Sequence, residues 1–230
     1  MSTLYLVATP IGNLSDITYR AVQTLQSVDV IACEDTRHTS ILLSHYQIKA
    51  KRLIATHAHN ESASAEGIIS LLAEGKSVAF VSDAGTPGIS DPGSRLVEQV
   101  RSRGYSVVPI PGASALTALV SVAGVVGKTI TFEGFLSPKS GRRKRRLEEL
   151  LGRQEAFVLY ESPFRILKTL EAIADLEPER TLIIGREMTK KFEEFLSGTA
   201  AEVLATLSER ASIKGEFALL VKGALSDNAP

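Results

Sequence analysis

Four short stretches carry most of the unusual chemistry in the first half of the chain: Thr9-Pro10-Ile11-Gly12-Asn13, Glu34-Asp35-Thr36-Arg37, Asp83-Ala84-Gly85-Thr86-Pro87-Gly88 and Pro111-Gly112-Ala113-Ser114. Three of them pair proline with glycine, and the other packs three charges into four residues. Such stretches read as loops that approach a ligand. They are not phosphate cradles. A dinucleotide fingerprint needs three spaced glycines, and Ala8–Leu14 holds only Gly12. A Walker A loop needs a glycine five residues before Gly-Lys-Ser/Thr. Gly75-Lys76-Ser77 has Ser70 at that place and Gly127-Lys128-Thr129 has Val122. Pro10, Pro87, Pro92 and Pro111 also lack the N–H donors from which phosphate sites are built. Proline-stiffened loops suit a ligand read by backbone carbonyls, apolar walls and a carboxylate, and an adenosine bearing a cationic sulfonium is of that kind. Asp83 is the carboxylate, placed to accept from ribose hydroxyls or to face the positive charge. Alone it would read as a turn cap, but Gly85, Pro87, Gly88, Asp91, Pro92 and Gly93 follow it and favour a ligand loop. In the second stretch Asp35 suits a helix cap, which leaves Glu34 and Arg37 for function.

A different signal lies in the second half. Lys139, Arg142, Arg143, Lys144, Arg145 and Arg146 put six basic residues into eight positions of a chain whose formal net charge is zero. Leu147, Leu150 and Leu151 give this segment a buried helical stripe, so the basic side chains are expected to project. The first turn of a helix disfavours cations by a few tenths of a kcal/mol each, roughly. Their position does nothing for the fold, and contact with nucleic-acid phosphates explains it better than a solvated helix face.

The elements that position these residues follow from periodicity. Strands are expected at Leu4–Ala8, Asp29–Cys33, Arg52–Ala55, Ser77–Ser82 and Ser106–Ile110. Helices alternate with them at Tyr19–Gln26, Thr39–Tyr46, Ser62–Glu74, Gly93–Arg103 and Ser114–Val122. That alternation implies a doubly wound, mostly parallel α/β sheet over residues 1–124, with all four loops at the carboxyl ends of its strands, where such sheets bind ligands. The pattern breaks around Gly124–Gly127. Beyond it come strands at Thr129–Leu136, Ala156–Glu161, Thr181–Arg186, Glu194–Gly198 and Glu216–Lys222, and helices at Gly141–Gly152, Phe164–Ala174 and Ala200–Arg210. Consecutive strands there imply a mixed sheet and a second α/β domain over 125–224, followed by a disordered tail at 225–230. Ser114–Val126 is apolar nearly all round, which points to burial against the other domain or another subunit.

With 230 residues the chain can bury a core without staples. No apolar run reaches the roughly 18 residues of a membrane span, and the first residues carry no basic leader, so a soluble cytoplasmic protein is expected. The single cysteine, Cys33, reads as core. His57 and His59 alternate in Thr56-His57-Ala58-His59, but no third ligand has suitable spacing and no metal is expected.

The stretches Ala8–Leu14, Cys33–Arg37, Val81–Gly88 and Pro109–Ala115 resemble the tetrapyrrole-methylase-like superfamily. Within it they are similar to the small-subunit ribosomal RNA methyltransferases that act on a cytidine 2′-hydroxyl of 16S rRNA. Phe132–Leu136, Leu159–Pro163, Arg186–Lys191 and Lys214–Phe217 agree, so the resemblance covers nearly the whole chain. One departure is Phe164, where the family is expected to carry a histidine. The resemblance implies a homodimer that acts on 16S rRNA or the small ribosomal subunit and folds S-adenosylmethionine into a cleft between its domains. Similar proteins hold the donor at positions matching Pro10, Ile11, Asp83, Ala84, Gly85, Thr86, Ser114 and Ala115. From the second domain the matching positions are Tyr160, Arg186 and Glu216. Methyl transfer is an in-line displacement, and a ribose hydroxyl is a weak nucleophile helped by a base or by a cation that favours the alkoxide. Glu34, Arg37, Glu161 and Lys190 are the candidates for that task. A tetrapyrrole methyltransferase would share the donor loops without needing the basic segment. A non-catalytic ribosome-assembly protein would use the basic segment but leave the loops unexplained.

Overall fold

The computed structural model describes residues 2–49, 51–56, 61–124 and 126–223, with residues 61–63 as backbone only. His57, His59 and the 225–230 tail fall outside them. The chain divides into two compact units, Met1–Ser114 and Ala115–Pro230.

The first unit is built on β1 (Thr3–Val7), β2 (Val30–Cys33), β3 (Arg52–Ala55), β4 (Val78–Val81) and β5 (Ser106–Ile110). They form one parallel sheet in the order β3-β2-β4-β1-β5. Helices α1 (Tyr19–Ser27), α2 (Thr36–His45), α3 (Glu61–Ala73) and α4 (Ser94–Ser102) connect them. Because strand side chains alternate between faces, the sheet sustains two cores. Leu4, Val30, Ala32, Val78 and Phe80 pack with Ile68 and Leu72 of α3 and Leu96 and Val100 of α4. Val7, Ile31, Cys33, Ala79 and Val81 pack with Ala21 and Leu25 of α1 and Leu42 and Leu43 of α2. Cys33 is thus core, as its apolar strand implies. The connection from β1 leaves by one face and that from β4 by the other, although the two strands are neighbours. A doubly wound sheet opens its ligand crevice at such a reversal.

The second unit is a mixed sheet of β6 (Ile130–Phe135), β7 (Ala156–Glu161), β8 (Thr181–Arg186), β9 (Glu194–Thr199) and β10 (Phe217–Val221), in the order β6-β7-β10-β8-β9. Only β6 and β7 pair in parallel. Helices α6 (Ser140–Gly152), α7 (Ile166–Leu176) and α8 (Ala200–Ser208) pack on one face through Leu147, Leu170 and Val203. The other face is covered by α5 (Ala115–Val122), whose Leu119 packs with nearby Ala123 against Val158, Ile183, Ala218 and Leu220.

The packing of Leu119 and Ala123 on the second sheet agrees with the expected burial of this apolar segment against the other domain. Helix α5 groups with the second unit, which begins at Ala115 where the sequence pattern suggested a division near Gly124. A glycine-marked break in the local pattern locates the end of a helix, not the core into which that helix is packed.

Candidate functional site

The four loops of the first unit converge at the carboxyl rim of its sheet and are bonded to one another. Thr9 and Gly85 exchange backbone hydrogen bonds of 2.8 and 3.0 Å, which joins the loops after β1 and β4 at the crevice. The Thr9 hydroxyl, buried, donates to the Ser82 carbonyl at 3.1 Å. The Thr86 hydroxyl donates to the Ala113 carbonyl at 3.2 Å and so ties in the loop after β5. The backbone N–H of Asp35 donates to Asp83 Oδ1 at 2.9 Å, and His38 Nδ1 lies 3.4 Å from Asp83 Oδ2. That adds the loop after β2. Gly85 has a φ of +81°, a left-handed conformation that glycine adopts at no steric cost, and a Cβ there would meet Ile11 Cγ2 at 3.4 Å.

The charge at this rim is acidic. Asp91 is pushed up to about 6 by burial first and then by the nearby charges of Glu34 and Asp83. Asp35 is held well below the usual carboxylate range by the Arg37 guanidinium and backbone N–H. It caps α2 as its sequence position implies. Arg37 is therefore an exposed cation folded back onto Asp35. Sequence reasoning passed over Asp91 and His38 as site residues. Asp91 sits in a Ser-Asp-Pro-Gly turn, which reads as punctuation, and only the fold sets it beside Glu34 and Asp83.

In the second unit a line of residues marks one end of the sheet. Phe135 of β6 pairs with Tyr160 of β7, Glu161 and Arg186 each pair with Phe217 of β10, and Arg186 pairs with Glu194 of β9. The Tyr160 hydroxyl accepts from the Leu116 N–H at 2.9 Å, and the Tyr160 ring meets Phe132 and Phe135 edge-on. Arg186 donates from Nε to the Lys214 carbonyl at 2.8 Å. Lys190 Nζ lies 2.9 Å from both Glu187 and Glu216. Burial opposes its charge, but the hydrogen bonds to those two carboxylates outweigh it and raise its pKa. Lys190 is thus a cation and not a base. Its loop is strained, with φ of +48° at Glu187 and +67° at Thr189.

Two expectations change here. Glu161, 2% exposed, accepts from the Ser162 N–H at 2.9 Å, Arg165 Nε at 2.7 Å and the Thr169 hydroxyl at 2.8 Å. Both oxygens are engaged in fixing the turn into α7. In the basic segment the arginines do not all project. Arg143 is 7% exposed, and Arg146 is bonded to Glu133 at 2.7 and 2.8 Å and to Glu149 at 2.8 Å. Lys139, Arg142, Lys144 and Arg145 are exposed. Helical spacing explains the split, since Arg143 and Arg146 share the side of Leu147 and Leu150. Among the described residues no group of His, Cys, Asp and Glu could hold a metal ion, and no helix is long and apolar enough to cross a membrane.

Comparison with known proteins extends the geometry. Residues 3–204 match the family described as Tetrapyrrole (Corrin/Porphyrin) Methylases. Ribosomal RNA small subunit methyltransferase I of Bacillus subtilis (strain 168) is 48% identical over 224 residues, 97% of this chain and 76% of that protein. Its namesake in Neisseria meningitidis serogroup B is 49% identical over 220 residues, 95% of this chain and 75% of that one. Among solved structures, the methyltransferase CobJ has a TM-score of 0.73 at 18% identity, covering 100% of this chain and 98% of its own. Diphthine synthase has a TM-score of 0.73 at 14% identity, covering 96% and 90%. At those identities the two structures establish the fold alone.

Proposed function

The chain belongs to the tetrapyrrole (corrin/porphyrin) methylase family, whose methyl donor is S-adenosylmethionine, and we propose that its acceptor is the ribose 2′-hydroxyl of a cytidine in 16S rRNA. The observation that carries the RNA part is the set of exposed cations at Lys139, Arg142, Lys144 and Arg145, a run that suits successive phosphates of a nucleic-acid strand.

The first unit's rim fits the donor by its own chemistry. Carboxylates at Glu34, Asp83 and Asp91 favour a cationic sulfonium, and Gly85 lets backbone approach the ligand without a Cβ in the way. Pro10, Ile11, Asp83, Ala84, Gly85 and Thr86, with Ser114 and Ala115, are the residues we assign to it. Tyr160, Arg186 and Glu216 of the second unit complete the assignment, as the resemblance implies. When bound, S-adenosylmethionine supplies an electrophilic methyl on a positively charged sulfur. The protein's part is to orient the acceptor oxygen and manage its proton. Glu34 is the carboxylate we assign to the hydroxyl proton, and Arg37 and Lys190 are cations that favour the alkoxide. Glu161 is withdrawn from that group, because its oxygens are engaged in the turn before α7. The enzyme is read as a cytoplasmic homodimer that works on rRNA or the assembled small subunit.

The deciding experiment transfers labelled methyl from S-adenosylmethionine to small subunits lacking the modification and then maps the labelled nucleoside. Label in a 2′-O-methylated cytidine of 16S rRNA is expected. Label on a base, or transfer to a tetrapyrrole in place of RNA, would overturn the reading.

A further inference from the structure

Besides Tyr160, Arg186, Lys190 and Glu216, the end of the second sheet carries side chains to which the methyl-transfer chemistry gives no role. Strands β6, β7 and β8 all finish there, so the segments 136–139, 162–165 and 187–193 share one edge with 214–216, which leads into β10. With strands about 4.8 Å apart, five of them spread this edge over roughly 20 Å. Three phenylalanines stand in solvent along it: Phe135 at 57% exposure, Phe164 at 89% and Phe192 at 65%. Phenylalanine so exposed gains nothing for the fold, and three on one edge call for a partner.

The charges around them say which partner. Glu133, Glu161, Glu187, Glu194 and Glu216 are all paired with cations of the unit itself, namely Arg146, Arg165, Lys190, Arg186 and Arg210. Glu193 accepts the Thr189 N–H. Lys139, Arg142, Lys144, Arg145, Lys191 and Lys214 are exposed and make no ion pair among the described residues. Lys191 Nζ instead sits 5.6 Å from the centre of the Phe192 ring. Five acids of this edge are thus matched by five cations, Glu193 keeps its charge, and the six exposed lysines and arginines leave the edge with surplus cations. Where β6 leads into α6, the helix has no side-chain cap and no acid in its first turn, an end that favours an anion.

We propose that this edge is a platform for single-stranded RNA, on which Phe135, Phe164 and Phe192 stack against unpaired bases while the surrounding lysines and arginines take the phosphates. This rests on the reading of the acceptor as RNA and specifies the form in which that RNA is held. Bases inside a duplex present no face for stacking, so aromatic side chains interleaved with cations select strands whose bases are splayed out. A second copy of the chain is the poorer occupant. A two-fold interface would set the same surplus cations against themselves.

The test compares a labelled single-stranded RNA 12-mer with the same strand annealed to its complement, using the full chain. Phe164→Leu/Phe192→Leu keeps apolar volume at two exposed sites and removes two stacking faces. It should weaken single-strand binding at least tenfold, leave duplex binding alone and leave the salt dependence unchanged. Phe192→Tyr should keep wild-type affinity. Lys191→Gln/Lys214→Gln should instead lower both affinities and flatten the salt dependence. Unchanged single-strand affinity in the leucine variant, or equal loss on duplex, overturns the platform. So does a change of oligomeric state, seen by sedimentation, with RNA binding intact. Methyl transfer to small subunits by the wild type separates the two levels of inference. If it occurs and the leucine variant matches it at every subunit concentration, the platform alone fails. If the wild type transfers no methyl to RNA, the functional reading fails with it.

Discussion

The two sheets have five strands each, yet their loop-bearing ends hold opposite kinds of charge. At the first unit's rim, burial first and then the charges of Glu34 and Asp83 lift Asp91 to about 6. At the second unit's edge five carboxylates are matched with cations, and further lysines and arginines remain without acids. Leaving like charges together costs stability, so a protein that does it at two places, with opposite signs, is arranged for two ligands of opposite charge. A cationic methyl donor and a polyanionic acceptor are such a pair.

The comparison can be broken most severely at Glu161. If the acids of the second unit are structural, Glu161→Ala leaves Arg165 and Thr169 without their buried partner. It should cost about 3 kcal/mol or more of stability, read by thermal or urea denaturation. A variant that melts like wild type but transfers no methyl would return Glu161 to the chemistry and blur the contrast.

A second pair of variants sharpens the contrast by crossing it. Asp83→Ala should weaken S-adenosylmethionine binding by about ten- to a hundredfold in calorimetry, in keeping with the roughly 1.5–3 kcal/mol of a charged hydrogen bond, and should spare RNA affinity. Arg142→Gln/Lys144→Gln/Arg145→Gln should do the reverse. RNA affinity should fall at all sequences alike, and the slope of log K against log salt should drop by about 2 for three lost phosphate contacts. Arg143 and Arg146 are left intact in that variant because one is buried and the other holds Glu133. A loss of both affinities from either variant would mean that the two regions are not separate in function.

The smallest effect concerns pH. Asp91 has a folded pKa of about 6 against an ordinary 3.8, so the folded chain binds that proton more tightly than the unfolded chain does. Its contribution to stability therefore declines as pH rises from about 4 to about 6 and is level above that. Over the same range the ionised carboxylate gains attraction for a sulfonium. Donor affinity should then rise a few-fold through pH 6 in the wild type and stay flat in Asp91→Asn, measured by titration at pH 5 and 7. Identical profiles would remove Asp91 from the donor's surroundings.

Much of this was legible in the residues. Alternating β-branched runs and helical stripes placed the strands to within a residue or two, because side-chain alternation and helical spacing are local properties. The loops after β1, β2, β4 and β5 announced themselves for the same reason. Proline and glycine restrict or free the backbone wherever they stand, and a strand's direction settles which end its loop occupies. The six cations at 139–146 were visible as a charge run.

What the sequence determined, then, was the order of elements, the carboxyl-end loops and the local excess of cations, all set by neighbours within a few residues. Only the tertiary structure decided which members of those sets are available. It turned Arg143 into the core side of α6 and gave Arg146 to Glu133, thirteen residues away. It engaged Glu161 with Arg165 and Thr169, packed α5 onto the second sheet, and brought Asp91 beside Glu34 and Asp83. Burial and electrostatic proximity depend on distances through space between segments far apart in the chain, and no local pattern encodes them.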